Sequence, residues 1–200
     1  DSSPLAISEP ALEQYLIRHG RDWERYAWIK ARVATPGAND VKNLVRPFIY
    51  RKYLDFNAYE GMRSLHEQIL READRRGSSQ NVKIGKGGIR EVEFFAQIYQ
   101  LIRGGRCAKL QTTSTLEALK GVSDEGFVDA QSTEALTRAY RFLRETEHRL
   151  QYRDDVQTQT LPSDPESFDA LAQSMGFGDP NAFRAELGRR RAVVAELFGA

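Results

Sequence analysis

Two hundred residues, 40% of them hydrophobic and 28% charged, suffice for one domain, or one domain with part of another, and for a real buried core. Lysine and arginine total 29 against 28 aspartates and glutamates, so a net charge of +1 provides no global field toward nucleic acid or a membrane. The single Cys107 excludes an intrachain disulfide framework and suits a reducing, cytoplasmic setting, and no apolar run approaches membrane-spanning length.

In chain order the sequence reads as helices joined by short punctuated turns. Ser8-Glu9-Pro10 opens a segment that Gly20 closes. Asp22 predicts a cap for a second helix running to about Val33, before Thr35-Pro36-Gly37. A third segment, Val41 to Tyr53, is interrupted at Arg46-Pro47, because proline disfavours helical geometry in the residue before it. Phe56 to Arg76 fits one long helix stopped at Gly77. A glycine-rich loop then leads into a helix from about Gly88 to Arg103, closed by Gly104-Gly105. Ser114 and Glu117 form a capping box for a short helix reaching Gly121.

Asp129 or Ser132 opens another long helix, with Leu136, Tyr140, Leu143, Glu147 and Leu150 at helical spacing. Ser163-Asp164-Pro165-Glu166 and Asp179-Pro180 open the last two. Strand signals are confined to Pro4–Ser8 and Asn81–Ile84. The fold class is therefore mostly α, with a possible α/β remnant at the N-terminus.

The loop Gly85-Lys86-Gly87-Gly88 carries the first chemical question. It fails the P-loop spacing, and Arg90 stands where a dinucleotide fingerprint needs glycine. Its glycines still let backbone N–H groups approach an anion at a helix N-terminus, with Lys83, Lys86 and Arg90 alongside. The plain alternative is a tight loop-to-helix joint with solvated lysines. The following helix is apolar on most of its surface (Ile89, Val92, Phe95, Ala96, Tyr99, Ile102), which makes it a buried central helix. Its polar stripe, Arg90, Glu93, Gln97 and Gln100, must pair internally or line a cleft.

Gly77-Ser78 and Glu91-Val92-Glu93 mimic a nucleotidyltransferase layout, but residues two apart on a helix point roughly 200° apart and cannot share a metal ion. His19, His66 and His148 show no metal-ligand spacing, and Asp154-Asp155 reads as a solvated turn. Two basic clusters, Asp22–Arg32 and Arg46–Lys52, interleave cations with aromatics; near-neutral overall charge argues against nucleic acid as their partner.

Four stretches, GRDWERYAWIKAR (20–32), RPFIYRKYLDF (46–56), NVKIGKGGIREVEFFAQIYQLIRGGR (81–106) and DDVQTQTLP (154–162), resemble in order and spacing the bifunctional glutamine synthetase adenylyltransferase/adenylyl-removing enzymes. The resemblance covers essentially the whole chain, and its Ile-Arg-Gly-Gly-Arg and Gln-Thr-Gln-Thr-Leu-Pro elements point to the N-terminal, adenylyl-removing half. It implies phosphorolytic removal of AMP from a tyrosine of glutamine synthetase, giving ADP, while the other half attaches AMP from ATP. It further implies control of nitrogen assimilation in response to PII signalling protein and glutamine.

The implied fold is a polymerase-β-like nucleotidyltransferase domain followed by a bundle-like helical domain of the PII-uridylyltransferase type. Residues 1–34 are then the C-terminal remnant of the first, and residues 35–200 the second. The family's Gly-Ser, Asp-x-Asp and further strand aspartate would lie upstream of Asp1. The expectation is thus a fragment inactive by itself, with Mg2+ and ATP, ADP or phosphate bound only in the full enzyme, and no catalytic or metal-binding residue within the chain. Lys83, Lys86, Arg90, Glu93 and Gln97 are its candidates for a nucleotide or phosphate cleft, with Glu24, Lys30 and Arg32 behind them. The alternative is a non-catalytic helical module that binds PII or glutamine synthetase.

Overall fold

The computed structural model describes residues 6–34, 39–51, 80–152 and 157–199, together with Glu60, Gly61, Ser64, Glu67, Gln68, Arg71 and Arg75. The mostly helical expectation holds: among these residues there is no strand, only an isolated antiparallel bridge between Asn81 and Thr160. The chain divides into two compact units, residues 1–63 with 96–121, and residues 64–95 with 122–200.

In the first unit, α1 (Glu9–Arg18) and α2 (Asp22–Lys30) both pack on α3 (Asn39–Ile49). Ser8 caps α1, and Leu16, Tyr26, Ile29, Val45 and Ile49 supply apolar core. Asp22 is the first helical residue of α2 rather than its cap. Arg21 takes the cap position, and its N–H donates to the Glu24 carboxylate at 2.7 Å. The helix ends at Lys30, short of Val33.

The expected break at Arg46-Pro47 is absent, since α3 runs through Pro47. The carbonyl four residues earlier belongs to Asn43, which is exposed, so water can replace the N–H that proline lacks. At the end of α3, the fully buried Arg25 donates from Nη2 to the Ile49 carbonyl at 3.0 Å and pairs with Asp22 at 3.6 Å. A buried guanidinium thus satisfies a carbonyl that the helix terminus leaves open.

Helix α4 (Ile89–Arg103) has Ile89, Val92, Ala96 and Leu101 buried, in keeping with a central helix. After it, a 3-10 turn (Ala108–Leu110) is tied back by Gln100, whose Nε2 donates to the carbonyls of Leu110 at 2.8 Å and Thr112 at 2.7 Å. Helix α5 (Thr115–Asp124) continues past Gly121, where the sequence predicted its end. Leu110 explains this glycine, because a Cβ on Gly121 would approach Leu110 Cδ2 to 3.0 Å. The capping box is altered as well. Glu117 N–H donates to Ser114 Oγ at 3.3 Å, but the Glu117 carboxylate accepts from Thr112 Oγ1 instead of closing the box.

In the second unit, α6 (Ala130–Tyr152) packs on α7 (Pro165–Ser174) and α8 (Pro180–Gly199), which also meet each other. Asp129 caps α6, accepting from Ser132 N–H at 2.8 Å, and Asp164 caps α7, accepting from Ser167 N–H at 2.8 Å. Phe142, Phe168 and Phe177 surround Phe183 with ring centroids 5.4 to 6.0 Å from it. The extended segment expected at Asn81–Ile84 reduces to Asn81 alone, because residues 82–84 are in a turn. Pro4 and Leu5 of the N-terminal strand signal, most of Phe56–Arg76, Gly77-Ser78 and Asp154-Asp155 lie outside the described residues.

Candidate functional site

The glycine loop is built by internal hydrogen bonds. Asn81 Oδ1 accepts from the N–H groups of Lys83 (2.9 Å) and Ile84 (3.0 Å), while Val82 N–H reaches the Gln159 carbonyl at 2.8 Å. Gly87 has a φ of 71°, and a Cβ there would overlap the backbone of Arg191 on α8. Arg191 Nε donates to the Lys86 carbonyl at 2.9 Å, fixing the loop against that helix.

Three amides at this helix start are already bonded within the chain. Ile89 N–H donates to the Val82 carbonyl at 3.0 Å, Arg90 N–H to the Lys83 carbonyl at 2.9 Å, and Gly87 N–H to Glu91 Oε2 at 3.0 Å. Glu91 is 3% exposed, so a protein carboxylate already stands at the positive end of α4. Of the two readings the sequence left open, an anion site and a tight loop-to-helix joint, these bonds favour the joint. Sequence reasoning missed Glu91, although an acid in the first helical turn behind a glycine loop was a usable signal.

The cationic and polar side chains separate accordingly. Lys83 Nζ lies 3.5 Å from Glu147, which is 2% exposed and is also held by Arg144 at 2.5 Å. Glu93 accepts a hydrogen bond from the Tyr140 hydroxyl at 3.4 Å. The Arg90 guanidinium lies 5.6 Å from the Phe94 ring centroid, and its buried Nε has no hydrogen-bond partner. Lys86 keeps an exposed side chain and borders a shallow depression with Arg191 and Glu196. Burial pushes the Arg191 guanidinium's pKa down, and the Glu91 charge opposes that shift.

In the first unit, Gln97 Nε2 donates to the Tyr26 carbonyl at 3.3 Å. Glu24 accepts from the Tyr15 hydroxyl at 2.7 Å, and this bond, with burial, raises the Tyr15 pKa. Lys30 Nζ donates to the Thr113 carbonyl at 3.0 Å and to Thr115 Oγ1 at 2.6 Å. Arg32 instead lines a cavity of about 530 Å³, together with Trp28, Lys42, Arg46 and Tyr50. Burial pushes the Tyr50 hydroxyl up to about 12, with Arg46 opposing. Reading Pro47 as a break concealed this cavity, because Lys42, Arg46 and Tyr50 share a face only if α3 continues.

Among the described residues, no cluster of three or more His, Cys, Asp or Glu side chains could hold a metal ion. Glu91 and Glu93 are committed to separate partners, Gly87 N–H and the Tyr140 hydroxyl. The described carboxylates therefore do not fit the magnesium ion that the resemblance implies.

Comparison with known proteins places this geometry. Residues 63–200 match the family model described as GlnD PII-uridylyltransferase, and residues 1–45 match that of glutamate-ammonia ligase adenylyltransferase. The bifunctional glutamine synthetase adenylyltransferase/adenylyl-removing enzymes of Neisseria meningitidis serogroup A and serogroup B are 56% and 57% identical over 198 residues, 99% of this chain. The Chromobacterium violaceum enzyme of the same name is 52% identical over 198 residues. The chain spans 22% of the length of each of these relatives. The chain belongs, through residues 63–200, to the GlnD PII-uridylyltransferase family, and 99% of it is similar to one stretch of the bifunctional glutamine synthetase adenylyltransferase/adenylyl-removing enzymes.

Proposed function

We propose that this chain works within an enzyme that adds AMP to and removes it from a tyrosine of glutamine synthetase, and that it serves the removing reaction, phosphorolysis to ADP. The observation carrying this reading is the 56% identity over 99% of the chain to an enzyme of that name. On this reading residues 1–34 close a nucleotidyltransferase domain and residues 35–200 form the helical domain beside it. PII protein and glutamine act as regulators, in keeping with the family description that names PII.

Magnesium, when bound, would neutralise charge on the transferring phosphoryl oxygens. Its ligands would be carboxylates outside this chain's described residues. What the chain contributes is scaffold and charge. Glu147 fixes Lys83, Glu91 fixes the loop, and Lys86 stays exposed as a cation for a phosphate-bearing ligand. The chain alone is then inactive.

The test compares ADP release from AMP-modified glutamine synthetase, in the presence of phosphate, by this chain and by the full-length Neisseria relative. ADP is expected from the full-length enzyme only. Lys86→Gln, made at the corresponding position of that enzyme, should slow the reaction by about tenfold, the effect of one lost charge-assisted contact. Turnover by the isolated chain would mean that it holds the metal site itself. An unchanged rate in the variant would remove Lys86 from the reading. Binding of PII by the isolated chain, without any effect of Lys86→Gln on the full-length rate, would favour a regulatory module.

A further inference from the structure

Within residues 81–89 only Lys86 is exposed, while Gly85 and Gly87 on either side of it are buried. Flanking glycines give the backbone around a side chain no stiffness of its own. Contacts must therefore set its direction, and the peptide unit between Lys86 and Gly87 is held at both ends. Its carbonyl, on Lys86, accepts from Arg191 Nε at 2.9 Å, and its N–H, on Gly87, donates to Glu91 Oε2 at 3.0 Å.

The two grips come from different helices, Arg191 from α8 and Glu91 from α4. The Glu91 charge also favours the protonated Arg191 guanidinium against its burial. At this point the loop lies directly on the α8 backbone, where a Cβ on Gly87 would overlap the Arg191 carbonyl. Because the peptide is planar, turning it over would break both bonds inside a buried turn, at the desolvation cost of the groups released. The clamp thus fixes ψ of Lys86 and holds Gly87 at a φ of 71°. With them it fixes the line along which the Lys86 side chain leaves the surface.

We propose that Arg191 is a positioning residue for the reaction, its hydrogen bond to the Lys86 carbonyl aiming the Lys86 ammonium at the phosphate-bearing ligand. This rests on the role proposed above for Lys86 and adds the residue that sets it. Arg191 acts through the carbonyl and not by touching the ligand. Misplacing a group by about 1 Å can cost about a hundredfold in rate, so a clamp on this peptide bears on turnover as well as on stability.

Substitutions at Arg191 separate the bond from the charge. Gln Nε2 stands as many bonds from Cα as Arg Nε and still donates, whereas Met offers only a thioether there. The readout is kcat/KM for phosphate in ADP release from AMP-modified glutamine synthetase, in the full-length enzyme in which the proposed function places this chain. Arg191→Met should lower it by about as much as Lys86→Gln, roughly tenfold, and the double variant should be no slower than Lys86→Gln alone. Arg191→Gln should stay within about threefold of the unaltered enzyme. Arg191→Lys, which keeps the charge but carries its nitrogen one bond further out, should be no faster than Arg191→Gln. That comparison decides the matter even if Arg191→Met fails to fold. Full activity in Arg191→Met, losses that multiply to about a hundredfold in the double variant, or Arg191→Lys outpacing Arg191→Gln would overturn the positioning role and leave Lys86 in place. An unchanged rate in Lys86→Gln would instead remove the role proposed for Lys86, and the positioning role with it.

Discussion

Two glycines with nearly equal backbone angles separate conformational strain from steric exclusion. Gly87 and Gly126 have φ of 71° and 68°, but a Cβ on Gly126 would meet nothing within 4 Å, whereas one on Gly87 would overlap the Arg191 backbone. Gly126→Ala should therefore cost only the left-handed backbone penalty, about 1–2 kcal/mol. Gly87→Ala should cost at least about 2 kcal/mol more, because the loop must leave α8 and break the Arg191–Lys86 bond. Urea unfolding of both variants measures the difference. Equal losses would show that the loop does not depend on α8. This residue scale is also where the site was hardest to read from sequence. Lys83, Lys86 and Gly87 look the same in a list whether their amides face an anion or the chain's own carbonyls. Only the folded turn shows that the Lys83 amide donates to Asn81 Oδ1 and the Gly87 amide to Glu91 Oε2.

At the scale of elements, α8 offers a pH-dependent test. Glu186 lies four positions before Arg190 and three before Arg189, about one helical turn, and pairs with them at 2.6 Å and 2.5 Å. Arg189 foremost, and Arg190 after it, hold the Glu186 carboxyl below its usual pKa against a desolvation that would raise it. A carboxyl depressed in the folded state contributes stability above its unfolded pKa and loses it as pH falls through the folded one. Glu186→Gln should thus lower stability at pH 7 by no more than about 1 kcal/mol, and this gap should close in acid. Thermal melts of both proteins from neutral to acid pH check it; a gap constant with pH would show that the pair adds nothing.

Elements of this kind were the legible part of the sequence. Caps at Ser8, Asp129 and Asp164 are local chemistry, and helices started where those residues promised. Pro47 and Gly121 misled because their tolerance depends on neighbours: solvent at Asn43 in one case, Leu110 in the other. The first of these errors also hid the cavity, since the Lys42–Arg46–Tyr50 stripe exists only on an unbroken helix.

For the molecule as a whole, the two units have separate apolar residues at their centres, and each must be tested by itself. In the second, Phe183 is fully buried and its ring meets those of Phe142, Phe168 and Phe177, which come from α6, α7 and the turn between α7 and α8. One side chain thus meets rings from three segments of the second unit. Removing it leaves a cavity that no neighbour can fill without moving a helix, so Phe183→Ala should cost about 3–5 kcal/mol. Domains of this size have only about 5–15 kcal/mol in hand, so the variant should open often enough for exchange to report it. Amide hydrogen exchange in Ala130–Tyr152 should then accelerate by roughly a hundredfold or more, the factor that about 3 kcal/mol implies. Leu187→Ala, one turn further along α8 and also buried, should act in the same amides but more weakly, because it removes a smaller group from the same centre. Unaltered protection in α6 after Phe183→Ala would mean that the aromatic cluster is peripheral, and that other contacts with α7 and α8 hold α6.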